Sequence, residues 1–185
     1  MIYLIRHTQP AVAKGFCYGQ TDLDVADSFE YEAIQILEKM NCDGEVKVIS
    51  SPLNRCLKLA EYLFPGQEIN LEAEIMELDF GKWEMNRWDD LDPEILKAWG
   101  NNFLSTPPPG GENFNQLFYR VCRFWKELDV ENRNYAIVAH DGVIRCILSH
   151  LLEMPLKKAF SFEIPYGTVI QLNFFDAKNC KIRFL

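Results

Sequence analysis

Three short apolar segments, each followed by a turn and a helical pattern, constrain the fold of this chain more than any other feature. They occupy residues 1–6, 46–50 and 135–139. Apolar runs of this length bounded by turn residues are typical of buried strands. Strands separated by helices form right-handed crossovers and a mainly parallel sheet that is covered on both faces. We therefore predict an α/β fold, a three-layer α/β/α sandwich around a mixed but mainly parallel sheet.

Four helices are predicted from capping residues and from the spacing of apolar positions. They cover residues 27–40, a segment after Pro52, residues 114–128 and residues 143–152. Asp27 and Glu30 have the spacing of a capping box at the start of the first helix. The second helix is predicted to bury a face formed by Leu53, Leu57, Ala60 and Phe64. Residues 168–175 and 181–185 predict a hairpin at the edge of the sheet.

The chain has 185 residues, of which 48% are hydrophobic, and this is enough to build the core of one domain. Residues 76–111 are irregular and contain three of the four tryptophans. Long insertions in compact domains are often lids or binding loops. We predict a single domain over residues 1–185 with a cap-like insertion at about 76–111.

Charge and cysteine usage narrow the class of protein. A formal net charge of −8 argues against a nucleic-acid partner, because binding to the phosphate backbone depends on clustered Lys and Arg. The sequence shows neither a secretory signal nor an apolar run approaching the ~20 residues that span a bilayer. We expect a cytoplasmic protein without a membrane partner, in which the cysteines are buried free thiols. The cysteines are Cys17, Cys42, Cys56, Cys122, Cys146 and Cys180.

Polar groups follow each of the three predicted strands. Arg6-His7 follows the first, Ser51 to Arg55 the second, and His140-Asp141 the third. Parallel strands place these ends along one rim, where two arginines, two histidines and helix amino ends would form a site for a phosphate-like dianion. Taken singly, each residue has a structural interpretation: a histidine at a strand end often makes only structural hydrogen bonds, and Arg55 would face solvent. His150, in an apolar helix, keeps the structural interpretation.

Five ordered segments resemble the motifs of the histidine phosphatase superfamily, in its phosphoglycerate mutase-like branch, and in particular its small α-ribazole phosphatase-type members. The resemblance spans nearly the whole chain and implies a phosphoglycerate mutase-like fold. The segments are Leu4-Ile5-Arg6-His7-Thr8, Ser50 to Cys56, Glu77 to Glu84, Pro109 to Phe114, and Val138 to Arg145.

The resemblance also implies roles for single residues. His7 matches the nucleophile that becomes phosphohistidine. The residues that match the clamp around the transferred phosphoryl group are Arg6, Arg55 and His140. These positive groups would stabilise charge on the phosphoryl oxygens. No metal-ligand spacing occurs in the sequence, so we expect neither a metal nor a cofactor.

Glu77 matches the acid that protonates the leaving oxygen, with Glu84 as its nearest rival. The acid must be neutral when substrate binds, so its surroundings should raise its pKa. Further substrate contacts are expected from Tyr18, Gly19, Gln20 and Asp141. The aromatic residues of the insertion either pack the cap or form a wall for a nucleoside-like substrate.

Several positions depart from the family pattern or have two interpretations. Thr8-Gln9-Pro10 replaces the usual continuation after the nucleophile, and we expect substrate preference to differ there. Met85 stands where a glycine is common. Gly110 and Gly111 either end a proline-rich turn or let backbone amides approach a ligand. Glu112 has the position of a helix start, while Arg120 and Arg145 are expected to brace the site.

The sequence thus predicts a metal-independent phosphomonoesterase that acts through phosphohistidine on a small phosphorylated metabolite, with α-ribazole 5′-phosphate as the specific candidate. One alternative is a phosphoglycerate mutase, which would need a more enclosed and more basic pocket. An alternative of another class is a binding protein for phosphorylated ligands that lacks turnover, because fold alone does not fix function.

Overall fold

A six-stranded mixed sheet forms the centre of the molecule. The computed structural model describes residues 1–41, 45–176 and 179–185. The strands are β1 (Ile2–Arg6), β2 (Lys47–Ser50), β3 (Ile69–Leu71), β4 (Tyr135–Ala139), β5 (Val169–Phe174) and β6 (Cys180–Phe184). Their order in the sheet is β3-β2-β4-β1-β5-β6. The first four strands in that order are parallel, while β5 and β6 run antiparallel to their neighbours.

Helices cover both faces of the sheet. They are α1 (Phe29–Lys39), α2 (Asn54–Leu63), α3 (Pro93–Asn101), α4 (Phe114–Lys126) and α5 (Asp141–Leu151). Alternate residues of β1 point to opposite faces, as the pleat requires. Leu4 belongs to the core formed with α4 and α5, whereas Ile5 belongs to the core formed with α1 and α2. The predicted three-layer α/β/α sandwich with a mainly parallel sheet is confirmed.

The three strands predicted from apolar runs lie within one residue of their predicted bounds. The hairpin at the carboxyl end is present, but its first strand is interior, because β5 pairs with β1 and leaves only β6 at that edge. The opposite edge is β3, which was not predicted. Three residues are too few for a hydrophobic pattern, and two of the three, Asn70 and Leu71, are exposed.

The capping box predicted at Asp27 and Glu30 is wrong. Helix α1 has Ser28 as its N-cap, and the Ser28 side chain caps no backbone amide. Its hydroxyl instead donates to the Glu32 carboxylate at 2.5 Å. The other oxygen of Glu32 accepts the backbone N–H of Gln9 at 2.9 Å. A tertiary contact with the loop after β1 therefore replaces the local cap.

Three of the four residues predicted on the buried face of the second helix are buried, namely Leu53, Ala60 and Phe64. Leu57 is only partly buried. The buried positions of the helix are Arg55, Cys56, Leu59, Ala60 and Leu63. The burial of Arg55 was not predicted, because a hydrophobic pattern assigns an arginine to the solvent face.

Residues 76–111 hold two short 3₁₀ helices, Gly81–Trp83 and Trp88–Asp90, together with α3. Their tryptophan rings pack on one another, with 5.5 Å between the ring centroids of Trp83 and Trp99. Helix α3 has an Asp92 cap and a proline at its start, signals that the irregular composition around it obscured. That this segment acts as a cap, and that the chain is one domain, stay predictions.

Five cysteines lie in the described residues and all are free thiols. Four of them are buried and Cys180 is partly buried, while Cys42 lies outside the described residues. Across residues 1–41, 45–176 and 179–185, no helix has the length and apolar character needed to cross a bilayer.

Candidate active site

The carboxyl ends of β1, β2 and β4 meet at one rim of the sheet, and the predicted site residues follow them. Arg6 pairs with Ala139 in the parallel register of β1 and β4, so His7 and His140 are neighbours. The centroids of their imidazole rings are 5.1 Å apart. The backbone N–H of Ser51 donates to Val138 at 3.0 Å, which brings the end of β2 beside them.

His7 is 1% exposed and its tautomer is determined by its neighbour. Its Nδ1 lies 2.6 Å from the backbone carbonyl oxygen of Thr8. A carbonyl oxygen can only accept, so Nδ1 carries the proton and Nε2 keeps a free lone pair. Burial, together with the positive charges of Arg55 and Arg6, holds the pKa of His7 well below its usual range. The imidazole is therefore neutral near pH 7 and suited to attack an electrophile through Nε2.

Arg6 and Arg55 supply two guanidinium groups whose ends are fixed by the backbone. Arg6 donates through Nη1 to the carbonyl oxygen of Ile164. Arg55 is fully buried and donates to the carbonyl oxygens of Thr21 at 2.9 Å and Gly19 at 2.6 Å. Within the described part of the chain, the buried Nε of each arginine has no hydrogen-bond partner. Because an unpaired buried donor is costly, these N–H groups indicate an anion site.

His140 lies beneath the rim and is fully buried. Its Nε2 is 2.8 Å from the hydroxyl oxygen of Ser51, which also accepts the backbone N–H of Leu53 at 3.4 Å. Burial and the charge of Arg55 are the main causes that hold the pKa of His140 well below its usual range. Two neutral histidines therefore lie together, and their neighbouring positive charges come from arginines.

Glu77 reaches the same site from the start of the insertion. Its carboxylate oxygens accept the backbone N–H groups of Leu78 at 2.9 Å and Gly142 at 3.2 Å. Burial, and next the negative charge of Asp141, raise the pKa of Glu77, although the two amides and Arg6 act in the opposite direction. This carboxyl can hold a proton at a pH at which an exposed glutamate has lost it.

Glu84, the rival acid, is engaged in holding the loop that follows β1. Its carboxylate accepts the backbone N–H groups of Gln20 at 2.8 Å and Thr21 at 2.6 Å, and the hydroxyl of Thr21 at 2.5 Å. It also accepts the N–H of Phe80 at 3.0 Å. With its oxygens occupied in this way, Glu84 has a structural role, and Glu77 is the better candidate for an acid.

The model of the histidine phosphatase superfamily, branch 1, matches residues 2–184 of the sequence. The chain belongs to the histidine phosphatase superfamily. Its resemblance to that family, first noted from five motifs, is thereby confirmed.

The chain is 32% identical over 128 residues to the adenosylcobalamin/α-ribazole phosphatase of Salmonella typhimurium. The aligned region covers 65% of this chain and 63% of the relative. The match thus spans less than two thirds of that relative's length. This chain is also 29% identical over 164 residues to a protein from Salmonella paratyphi C named probable phosphoglycerate mutase GpmB. That alignment covers 83% of this chain and 75% of the relative.

A solved structure shows how far the fold agrees. The α-ribazole phosphatase of Shigella flexneri superposes with a TM-score of 0.87 at 26% sequence identity, covering 100% of this chain and 95% of that chain. The whole length of this chain therefore adopts the fold of that histidine phosphatase.

Tyr166 belongs to the site although the sequence did not single it out. Its ring lies 4.3 Å from the guanidinium carbon of Arg6 and 5.5 Å from the ring of His7. Its hydroxyl is 2.6 Å from that of Tyr18, whose ring lies 5.3 Å from the guanidinium carbon of Arg55. Burial is the main cause that raises the pKa of Tyr18 above its usual range. The one sequence signal for Tyr166 is its place in a Pro-Tyr-Gly turn before β5.

A cavity of about 340 Å³ opens beside this histidine phosphatase site, and most of its lining is aromatic or aliphatic. Its polar lining includes the predicted residues Arg6, Tyr18, Glu77 and Asp141. The other lining residues are Phe16, Cys17, Gly19, Leu78, Phe80, Trp88, Phe114, Gly142 and Phe160. The expected contact residue Gln20 is not among them, because its side-chain amide donates to the carbonyl oxygen of Glu77 at 2.9 Å.

Asp141 connects the cavity to α5 and to the segment after it. Its carboxylate lies 3.5 Å from Arg6 Nη1 and accepts from Arg145 Nε at 2.7 Å. Arg145 in turn donates to the carbonyl oxygens of Ala159 at 2.8 Å and Phe162 at 2.7 Å. Arg145 therefore braces the site, as the sequence predicted. Within the described residues, no three His, Cys, Asp or Glu side chains are grouped to hold a metal ion.

The ambiguous glycines have a backbone role. A Cβ at Gly111 would lie 2.3 Å from the carbonyl oxygen of Asp79, so the first residues of the insertion pass too close for any side chain at this position. The N–H of Gly111 donates to the carbonyl oxygen of Pro108 at 3.0 Å, which supports the turn interpretation. Thr8, Gln9 and Pro10 are absent from the cavity lining, and Thr8 is fully buried. That substrate preference differs at these three residues stays a prediction.

Proposed function

We propose that the protein is a metal-independent phosphomonoesterase that acts through a phosphohistidine on His7. The observation that carries the proposal is the pair of buried, unpartnered Nε–H groups of Arg6 and Arg55, which lie on arginines close to a neutral histidine. A phosphoryl group is the dianion that such donor groups fit. Glu77 lines the adjacent cavity and supplies the acid that a phosphatase of this kind requires.

The first step transfers the phosphoryl group to the protein. The Nε2 lone pair of His7 forms a bond to phosphorus while the bond from phosphorus to the ester oxygen breaks. The leaving oxygen takes its proton from the Glu77 carboxyl. Arg6 and Arg55 stabilise the charge that a loose transition state spreads over the equatorial phosphoryl oxygens.

The second step returns the protein to its starting state. The Glu77 carboxylate accepts a proton from water as the water oxygen bonds to phosphorus, and the phosphorus–Nε2 bond breaks. Inorganic phosphate leaves, and both His7 and Glu77 recover their original protonation states. One carboxyl serves both steps because the second reverses the proton movement of the first.

The substrate we propose is a small phosphorylated metabolite with a flat aromatic group, such as α-ribazole 5′-phosphate. The lining of the cavity beyond Arg6 is rich in aromatic rings, including Phe16, Phe80, Trp88 and Phe160. Such a wall binds a heteroaromatic base by burial and offers little to a small polar acid. The name of the Salmonella typhimurium relative supports the same candidate.

Phosphoglycerate mutase activity is a second candidate because of the relative named GpmB. A bisphosphoglycerate intermediate carries a carboxylate and a second phosphate, both of which need cations. Among the described residues that line the cavity, Arg6 is the one cation, whereas Glu77 and Asp141 are acidic. This charge distribution favours hydrolysis of a monoester over retention of a bisphosphate.

A binding protein without turnover would need the arginines but neither a free Nε2 nor a proton on Glu77. The tautomer of His7 and the raised pKa of Glu77 therefore favour an enzyme.

Hydrolysis of p-nitrophenyl phosphate in EDTA tests the proposal. We expect turnover by the wild-type protein, and a loss on the order of 10⁴-fold in His7→Ala, since removal of a nucleophile costs at least this much in well-studied enzymes. His150→Ala, which changes a histidine outside the site, is the control and should keep full activity. Turnover that survives His7→Ala, or its absence in the wild type, contradicts the proposal. A panel containing α-ribazole 5′-phosphate and 3-phosphoglycerate then separates the two candidate substrates, with a coupled enolase assay to detect mutase activity.

A further inference from the structure

We propose that Arg120 and Glu112 form a positioning pair that holds the general acid Glu77 in place. The inference rests on the proposed function, because it assigns a role to residues that touch neither the nucleophile nor the cavity. Arg120 lies in α4 and Glu112 lies just before that helix. They form an ion pair in which the two side chains are largely buried, at 15% and 16% exposure.

One guanidinium group holds the backbone of the loop that carries Glu77. Arg120 Nη1 donates to the carbonyl oxygens of Glu74 at 2.6 Å and Met76 at 2.7 Å. Arg120 Nη2 donates to the carbonyl oxygen of Glu77 itself at 2.9 Å. Three carbonyl groups within four consecutive residues thus point at one rigid, planar cation. Hydrogen bonds to a charged group are stronger than neutral ones, so this arrangement fixes the path of the loop.

Glu112 fixes the same loop on the other side of Glu77. Its carboxylate accepts from Arg120 Nε at 3.1 Å and from Arg120 Nη2. It also accepts the backbone N–H of Asp79 at 3.1 Å, while the Glu112 N–H donates to the Asp79 carbonyl oxygen at 2.9 Å. Glu77 therefore lies between two anchored points, and both anchors depend on the Arg120–Glu112 pair.

The Glu77 side chain is held by a second helix of the same layer. The backbone N–H of Gly142, in the first turn of α5, donates to one carboxylate oxygen. Helices α4 and α5 pack against each other in the same core. The backbone of Glu77 is thus held by a residue of α4, and its carboxyl is held by a residue of α5. A displacement of about 1 Å can cost on the order of 100-fold in rate, so the alignment of these two contacts matters for proton transfer.

Proton donation by Glu77 matters more for some leaving groups than for others. An alkoxide leaving from an alkyl phosphate must be protonated as the bond to phosphorus breaks. p-Nitrophenolate is stable enough to leave without a proton. A fault confined to the position of Glu77 therefore reduces hydrolysis of an alkyl phosphate and spares p-nitrophenyl phosphate. A general loss of folded protein reduces both activities equally.

The test compares kcat for glycerol 2-phosphate with kcat for p-nitrophenyl phosphate in Arg120→Met, Glu112→Gln and Arg120→Lys. We expect the ratio of the two values to fall about 100-fold in Arg120→Met and by a smaller factor in Glu112→Gln. Arg120→Lys should recover part of the ratio, since an ammonium group can still donate to carbonyl oxygens. The matched control is Arg123→Met, on the same helix, where the arginine is 67% exposed and pairs with the Glu74 carboxylate. Its ratio should be unchanged.

An unchanged ratio in Glu112→Gln together with either Arg120 variant overturns the positioning role. If Arg120→Met does not fold, the ratio in Glu112→Gln and Arg120→Lys decides by the same criterion. Failure of the proposed function is recognised separately, because the wild-type protein would then hydrolyse neither ester. That result would overturn this inference as well.

Discussion

The hydroxyl oxygens of Tyr18 and Tyr166 lie 2.6 Å apart although 148 residues separate them in the sequence. Each ring lies beside a different arginine of the anion site, Tyr166 beside Arg6 and Tyr18 beside Arg55. The pair connects the loop after β1 with the turn before β5 above the two residues that bind phosphate in our proposal. It therefore links the positions of both guanidinium groups.

Tyr166→Phe removes this hydroxyl contact and keeps the ring over Arg6. We expect kcat/KM for p-nitrophenyl phosphate to fall by up to about tenfold, in line with the loss of one hydrogen bond of 0.5–1.5 kcal/mol. Tyr166→Leu, which also removes the ring and its cation–π contact, should have the larger effect, mainly through a higher KM. Tyr119→Phe, at a tyrosine that is 70% exposed, is the control. Equal activity of Tyr166→Leu and wild type would exclude a role for the pair.

The charge of Asp141 contributes to the pH range over which Glu77 holds its proton. Burial, and next the charge of Asp141, raise the pKa of Glu77, and only the protonated acid can donate to a leaving group. Activity on an alkyl phosphate should therefore fall as pH rises through the Glu77 pKa, and Asp141→Asn should move that alkaline limb to lower pH. The profile of kcat/KM for glycerol 2-phosphate measures this, with ionisation of the substrate common to both proteins. A limb that moves to higher pH, or does not move, contradicts the assignment.

Gly142 leaves room for the acid. A Cβ at this position would lie 2.4 Å from Glu77 Oε1 and 3.0 Å from Leu117 Cδ2. We expect Gly142→Ala to displace the carboxyl and to lower the free energy of unfolding by about 1–3 kcal/mol, as overpacking does. Hydrolysis of glycerol 2-phosphate should suffer more than that of p-nitrophenyl phosphate.

Gly100→Ala is the matched control for that substitution. Gly100 lies in α3, and a Cβ there would have nothing within 4 Å. Because alanine favours a helix over glycine by about 1 kcal/mol, this variant should melt at the same temperature as wild type or higher, with unchanged activity. If Gly142→Ala behaved like Gly100→Ala in both assays, the close approach to Glu77 would have no consequence.

The buried histidines make stability sensitive to acid. The pKa values of His7 and His140 are both lowered in the folded protein, so below about pH 6.5 the unfolded chain binds protons that the folded protein does not. The free energy of unfolding should therefore decrease as pH falls below 6.5 toward the folded pKa values. Urea unfolding at pH 7 and pH 5 measures the difference, which His140→Gln should reduce. If the free energy of unfolding changed between pH 7 and pH 5 by the same amount in His140→Gln as in wild type, His140 would not be held neutral in the folded protein.

The sequence predicted those parts of the site that depend on strand ends. A parallel sheet aligns the carboxyl ends of its strands, so His7 and His140 could be placed together from β1 and β4 alone. The burial of Arg55 followed from no pattern, because its donors pair with carbonyl oxygens of a loop 34 and 36 residues away. Tyr166 was missed for the same reason: its function depends on tertiary contacts with Arg6 and Tyr18.

Local sequence patterns were less reliable for a helix cap, for the edge strand β3 and for the choice of the acid. The capping box at Asp27 has the correct spacing, but the helix has Ser28 as its N-cap, and Glu32 accepts the backbone N–H of Gln9 across a loop. Strand β3 is short and largely exposed, so it lacks the apolar pattern of the central strands. Motif position favoured Glu77 over Glu84 as the acid, but the sequence supplied no physical reason, because the difference lies in which backbone amides each carboxylate accepts.

The most direct test of the central claim is to identify the phosphorylated residue during turnover. Wild-type protein mixed with substrate labelled on phosphorus and quenched in alkali should carry a label that is stable in base, lost in acid, and located on His7 by peptide mass analysis. His7→Ala should carry none, and Glu77→Gln should accumulate the label when p-nitrophenyl phosphate is the donor, since dephosphorylation then lacks its base. A label on any other residue, or steady turnover with no label in either protein, would contradict the account.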